Sequence, residues 1–214
     1  LLGAKVIMHL HSASTDRFLN GGIRQCIFEF LLGPAHKVVV VSDWWRSRLL
    51  DFGISKPIYV CTNCIEDLTD TESVDNLAHF EKCDSSSVRI LAMSRMVEGK
   101  GFDMILESLS GCIKNYEILF AGDGDFRNEL ESRARRLGLG EHVKFLGWLD
   151  DTSKNELLRS VDIFCLPSRN DSFGMVYIEA MKAGLPIIAF DYPPVRSVIG
   201  EQAALYVKTP QELS

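Results

Sequence analysis

The sequence predicts an α/β fold: a doubly wound parallel sheet, preceded by part of a second sheet of the same kind. Three observations carry this. From residue 88 onward, short apolar runs alternate with segments whose apolar residues recur three and four apart. The first 60 residues repeat that alternation less completely. Between the two lies a polar stretch rich in Asp, Glu and Ser, without a sustained period, which is linker composition. Strand–helix alternation of this kind builds parallel sheets covered on both faces.

Taken in order, residues 6–10, 38–41 and 58–60 read as strands and residues 43–52 as a helix. Residues 1–62 are therefore assigned to the first domain and residues 63–87 to the linker. Residues 88–214 form the second domain, with strands expected at 88–93, 117–121, 143–146, 161–166, 186–190 and 204–207. The helices between them are marked by apolar stripes. Phe102, Ile105, Leu106, Leu109 and Ile113 form one, and Phe126, Leu130, Ala134 and Leu137 another. A third runs Phe173, Val176, Tyr177, Ala180, Met181 and stops at Gly184, with Pro186 just beyond. Ligands of such sheets sit beyond the carboxyl ends of the strands, which is where the chemistry is sought.

Composition narrows the function classes. A 46% hydrophobic and 24% charged chain is an ordinary globular one, able to bury a core without a metal or disulfide staple. The net charge of −6 argues against a nucleic-acid partner, whose phosphates call for a basic face. No run approaches the roughly 20 apolar residues of a spanning helix. The opening LLGAKVIMHLHSAS has no small-residue cleavage site, so it reads as a buried strand and not a signal peptide. Of the six cysteines only Cys61 and Cys64 form a CxxC, and no second pair follows to complete four zinc ligands. The expected setting is reduced and cytoplasmic.

Three segments carry chemistry. In LPSRNDSFGMVYIEAMKAG, Asp171 precedes a helix and Glu179 lies in its second turn, off the apolar stripe, with seven residues between them. Gly174 lets a ligand approach the backbone near the helix start, where free N–H groups suit an anion. The alternative makes Asp171 and Ser172 ordinary caps and Glu179 a surface charge. In SRMVEGKG, Arg95 and Lys100 are two cations five positions apart at a strand end, suited to neutralising a diphosphate, or else plain loop charges. Gly122-Asp-Gly124 resembles the start of a dinucleotide fingerprint, but Arg127 occupies the third glycine's place, so a tight turn beside the cleft is expected.

Read in order, SRMVEGKGFDMILESL, FAGDGDFRNEL, VKFLGWLDD and LLRSVDIFCLPSRNDSFGMVYIEAMKAGLPIIAF resemble the family 4 retaining glycosyltransferases of the GT-B fold. VVVVSDWWRSRLLDFGISKPIYVCTN resembles that family's last strands before the interdomain hinge, and KVIMHLHSAS the strand carrying an active-site histidine. The resemblance implies that residues 1–62 belong to the acceptor-binding domain and 88–214 to the donor-binding domain. It also implies that the chain is trimmed at both ends. Two family Glu residues contact the donor sugar and the ribose. Glu179 matches the second, whereas Asp171 stands at the first, one methylene short. Arg95 and Lys100 match the pair that grips the diphosphate, and Phe173, Gly174 and Met175 the loop at the sugar and phosphate. Gly122 lies beside the cleft, and Gly147, Trp148 and Leu149 match the position of the base. His9 and His11 both compete for the histidine role, and His11 matches better because it ends the strand. Cys64 stands where the family commonly has the glycine of a hinge Asn-Gly.

The resulting expectation is transfer of a sugar from a nucleoside-diphosphate donor to a glycan or lipid-linked hydroxyl acceptor, with retention. His11, Arg95, Lys100, Asp171 and Glu179 would carry it. No cofactor and no metal are expected, the runs at Asp123–Asp125 and Asp150–Asp151 being read as a turn and a helix cap. A cytoplasmic site is expected, with peripheral association at the inner membrane face left open. Two other classes stay open: a sugar-nucleotide epimerase of GT-B architecture, and a non-catalytic nucleotide-sugar-binding module.

Overall fold

The computed structural model describes residues 5–11, 15–19, 22–65, 87–110 and 115–213. Most of the 63–87 linker and Ile113 lie outside them. The chain divides into two units. The first comprises Leu1–Cys64 with Asn170–Gly174 and Pro193–Val198; the second comprises Ile65–Arg169, Met175–Tyr192 and Ile199–Ser214.

The first unit holds β1 (Ile7–Leu10), α1 (Thr15–Phe18), α2 (Ile23–Leu32), β2 (Lys37–Val40), α3 (Asp43–Asp51) and β3 (Ile58–Val60). Its three strands are parallel in the order β1-β2-β3. Central β2 buries Val38 and Val40, which point to one face because side chains alternate along a strand. Helix α3 turns Trp45 and Leu49 inward, four residues apart and so on one stripe. Helix α2, which the sequence reading did not pick out, buries Phe28 and Leu32 by the same spacing.

The second unit is a six-stranded sheet, all parallel, in the order β6-β5-β4-β7-β8-β9. Its elements are β4 (Val88–Met93), α4 (Phe102–Leu109), β5 (Tyr116–Ala121), α5 (Arg127–Arg136), β6 (Val143–Gly147), α6 (Asp151–Ser160), β7 (Ile163–Leu166), α7 (Met175–Lys182), β8 (Ile187–Phe190), α8 (Pro193–Ile199), β9 (Leu205–Val207) and α9 (Pro210–Leu213). The first six residues of α8 group with the first unit. Strand order runs outward from β4 to β6, then returns to the other side of β4 for β7 to β9. That reversal is the switch point at which doubly wound sheets open a crevice.

Long apolar strands occupy the middle of this sheet. Leu91, Ile118, Phe120 and Phe164 are fully buried. Phe102 meets Phe120 edge-on at 4.9 Å between ring centroids, and Phe164 meets Tyr177 likewise at 5.8 Å. The Tyr177 hydroxyl donates to the Leu166 carbonyl at 2.6 Å, so a buried polar group is satisfied. Cys165, fully enclosed in β7, has its thiol pushed up to about 12 by burial, the behaviour of a small hydrophobe.

Most expected boundaries shift by one residue, and two shift by two. Strand β7 starts at Ile163, not at 161, because Val161 terminates α6 and the Asp162 carboxylate accepts a hydrogen bond from Arg89 N–H at 2.9 Å. Helix α7 starts at Met175, not at Phe173, so Asp171 and Ser172 stand four and three residues ahead of it.

Candidate functional site

Hydrogen bonds stitch the carboxyl ends of β4, β5 and β6 together. Ser94 N–H donates to Ala121 O at 3.1 Å, Met96 N–H to Asp123 O at 2.8 Å, and Gly122 N–H to Gly147 O at 2.7 Å. This explains Gly122-Asp-Gly124 without a dinucleotide. A β-carbon on Gly122 would lie 2.0 Å from the Ser94 carbonyl oxygen, and one on Gly124 2.3 Å from that of Met96. The glycines are there so that two loops can touch, and Asp123 closes the turn through its carboxylate on Gly124 N–H at 2.8 Å.

Beyond these strand ends lies a cleft of about 290 Å³, within the second unit. Its walls are Met93, Ser94 and Arg95 after β4, Ala121 and Gly122 after β5, and Trp148 and Leu149 after β6. Asp151 and Lys154 of α6 and Val176 and Glu179 of α7 complete it. Five residues singled out in the sequence thus meet in one place: Arg95, Gly122, Trp148, Leu149 and Glu179. Arg95 is exposed, and Trp148 is 81% exposed, an unusual state for an indole. Gly147 bonds to Gly122 at the edge of the cleft, while Lys100 is 9% exposed and does not line it.

The pairing that sequence reasoning missed is Lys154. Its ammonium donates to Glu179 Oε1 at 2.9 Å and to Asp151 Oδ1 at 2.8 Å. Burial opposes the Lys154 charge, but these two carboxylates outweigh it and raise the pKa. Helix α6 presents Asp151 and Lys154 together because residues three apart share a face. Asp150 caps that helix, accepting from Ser153 N–H at 2.8 Å. Nothing local distinguishes Lys154 from a surface lysine; its partner Glu179 is 25 residues away in sequence.

The remaining residues, apart from Met175, belong to the first unit. His11 follows β1, and its Nε2 lies 3.0 Å from His9 Nδ1, so the two rings share one hydrogen. Burial first, and the His11 charge second, lower the His9 pKa. The Ser172 hydroxyl donates to the His11 carbonyl, and Trp45 Nε1–H donates to the Ser172 carbonyl at 2.9 Å. These bonds fix the 170–174 segment, which contains half-buried Asp171, buried Phe173 and buried Gly174 at φ +79°. Met175 opens α7 in the second unit and does not line the cleft. Cys61 and Cys64 are exposed free thiols. Among the described residues no group of three or more His, Cys, Asp or Glu is placed to hold a metal ion. Among the same residues no helix is long and apolar enough to cross a membrane.

Fold and cleft together define a protein of the GT-B class, with a Rossmann-like sheet that holds its ligand cleft at the strand ends. The chain belongs to the Glycosyl transferases group 1 family, matched over residues 76–213. It is 31% identical over 207 residues to the phosphatidyl-myo-inositol mannosyltransferase of Mycobacterium leprae, covering 91% of this chain and 51% of that protein. Against the phosphatidyl-myo-inositol mannosyltransferase of Mycolicibacterium smegmatis it is 37% identical over 205 residues, covering 92% and 50%. The crystal structure of Anabaena Alr3699/HepE in complex with UDP and glucose superposes with a TM-score of 0.82 at 22% identity. That match covers 98% of this chain and 60% of the other. The chain therefore spans about half the length of the curated relatives it matches.

Proposed function

We propose that the protein transfers a glycosyl group from a nucleoside-diphosphate sugar to a hydroxyl of a glycan or lipid-linked acceptor, with retention of anomeric configuration. The observation that carries this is the cleft of a group 1 family member holding a cation, Arg95, and a carboxylate, Glu179, beyond parallel strand ends. Glu179 accepts hydrogen bonds from the ribose, and the base lies against residues 147–149. Arg95 and Lys100 neutralise the diphosphate. Charge placed where charge develops favours the transition state, and these cations do so without a metal or other cofactor.

In the step itself, the acceptor oxygen bonds to the anomeric carbon as the carbon–phosphate-oxygen bond breaks, on the same face. The acceptor proton passes to the departing phosphate oxygen, so the nucleoside diphosphate leaves with the electron pair of the broken bond. Asp171 serves the sugar hydroxyls and His11 the sugar or acceptor. The relatives' names support a lipid-linked acceptor, and such an acceptor would bring the protein to a membrane face. Asp171 in place of a longer carboxylate favours a second reading, a nucleotide-sugar-binding module without turnover. Both readings require nucleotide binding, and only transfer separates them.

Calorimetry with uridine, guanosine and adenosine diphosphates tests the shared step. Arg95→Ala weakens the tightest of them about tenfold or more, as expected for a charge-assisted hydrogen bond. Unchanged affinity in both Arg95→Ala and Lys100→Ala sinks the placement. Product formation from the matching nucleotide sugar, with the anomeric configuration read by NMR, then decides between transfer and binding alone.

A further inference from the structure

We infer that Lys154 is a positioning residue that holds the Glu179 carboxylate in the orientation needed to recognise a ribose diol. The inference rests on the proposed role of Glu179. Three observations carry it. Lys154 bonds Glu179 Oε1 at 2.9 Å, both residues line the cleft, and their side chains are only 22% and 20% exposed. A long carboxylate side chain at a cleft wall has several rotamers, and fixing one on binding costs free energy. The ion pair meets that cost before the ligand arrives.

The pair is also asymmetric in what it leaves free. Lys154 also donates to Asp151 Oδ1 at 2.8 Å, but that side chain is 92% exposed, so the sheltered partner of the ammonium is Glu179. Only the Oε1 oxygen of Glu179 accepts from Lys154. A vicinal diol donates two hydrogen bonds to one carboxylate, which serves it only while ionised. The Lys154 ammonium holds one of those two oxygens and leaves the other to the diol. Lys154 thus acts on the ligand through Glu179, and its removal should cost recognition of the ribose hydroxyls specifically.

The test compares a nucleoside diphosphate with its 2′,3′-dideoxy counterpart, measured by calorimetry on the full protein. The base is whichever of uridine, guanosine and adenosine binds tightest. The wild type prefers the ribose form by about tenfold or more, the worth of a hydrogen bond to a charged group. Lys154→Gln brings the two affinities to within about twofold of each other, with the dideoxy affinity nearly unchanged, whereas Lys154→Arg restores most of the preference. In a Glu179→Gln background, Lys154→Gln changes the ratio no further. A full preference retained in Lys154→Gln overturns the inference and leaves the proposed function standing. Equal weakening of both probes also overturns it, because Lys154 would then touch the base or diphosphate directly. A wild type that binds without preference removes the ribose role of Glu179 and the inference with it. Failure to bind any of the three diphosphates overturns the proposed function itself.

Discussion

The two sheets of this chain are built from the same unit of strand and helix, yet they bury it differently. In the six-stranded sheet, β5 has every residue but Glu117 buried, and β4 ends on three buried residues. In the three-stranded sheet, β1 alternates exposed and half-buried positions, and β3 has no buried residue. Only β2, flanked on both sides, reaches the burial of the larger sheet, at Val38 and Val40. A parallel strand becomes a continuous apolar run when both faces and both edges are covered. The difference teaches that strand burial here follows position in the sheet more than composition, since IMHL and IYV are as apolar as much of β7.

The largest effect expected from this contrast is on stability. Phe120 in β5 is fully buried between the rings of Phe102 and Phe145, so Phe120→Ala should cost about 3–5 kcal/mol in chemical denaturation. Ile7 in β1 is 62% exposed, and Ile7→Ala should cost less than about 0.5 kcal/mol. Comparable losses for the two would break the comparison, and would mean that β1 is covered on the face that holds Ile7.

How far the sequence revealed these sheets depends on the same physics. Strands 88–93 and 58–60 were read to the residue, because an apolar run bounded by polar or turn residues has only one sensible length. Where a run crossed into a cap, as at Val161, the boundary slipped by two residues, since apolar character alone cannot tell a strand start from a helix end. Helix α2 was missed because its apolar residues lie all round: Phe28 and Leu32 are buried, but Ile23 and Phe30 are 81% and 80% exposed. In the cleft, Arg95, Gly122 and Glu179 were found from their places at strand ends and a helix start. Lys154 was not, because only its contact with a distant helix gives it meaning.

A smaller effect separates two glycines of positive φ. Gly122 in the second unit has φ +119° with the Ser94 carbonyl 2.0 Å from any added β-carbon. Gly53 in the first has φ +96° with nothing within 4 Å. Gly53→Ala should cost about 1 kcal/mol, the backbone conformation alone. Gly122→Ala should cost about 2–3 kcal/mol and also weaken nucleotide binding, because the loop carrying Arg95 must move. Melting temperatures and calorimetry on the two variants check this. Equal costs would mean that the 94–96 loop yields freely and that its hydrogen bonds do not shape the cleft.

The smallest effect is one of pH, and it sharpens the comparison because each sheet carries a group shifted down from its ordinary value. Glu117 of β5 is opposed by burial, but hydrogen bonds and charge from Lys144 and Arg89 outweigh it and hold its carboxyl below the ordinary 4.5. His9 of β1 is held below 6.5, first by burial and then by the His11 charge. Both shifts have one sign. As pH falls, the unfolded chain takes up the proton before the folded one, so each contribution to stability is complete above the ordinary pKa and is lost as pH falls through the folded value. The windows differ: His9 acts below pH 6.5 and Glu117 only below 4.5. Proton-detected NMR of the imidazoles should therefore place His9 below a free histidine. His11→Ala should raise it part of the way back, because the burial that is the larger cause is reduced but not removed. Lys144→Met should leave the His9 window untouched and remove part of the stability lost below pH 4.5, the part Lys144 supplies by holding Glu117 ionised. A His9 that titrates normally in the wild type would mean that neither burial nor the His11 charge acts on it, and the contrast in pH windows would fail.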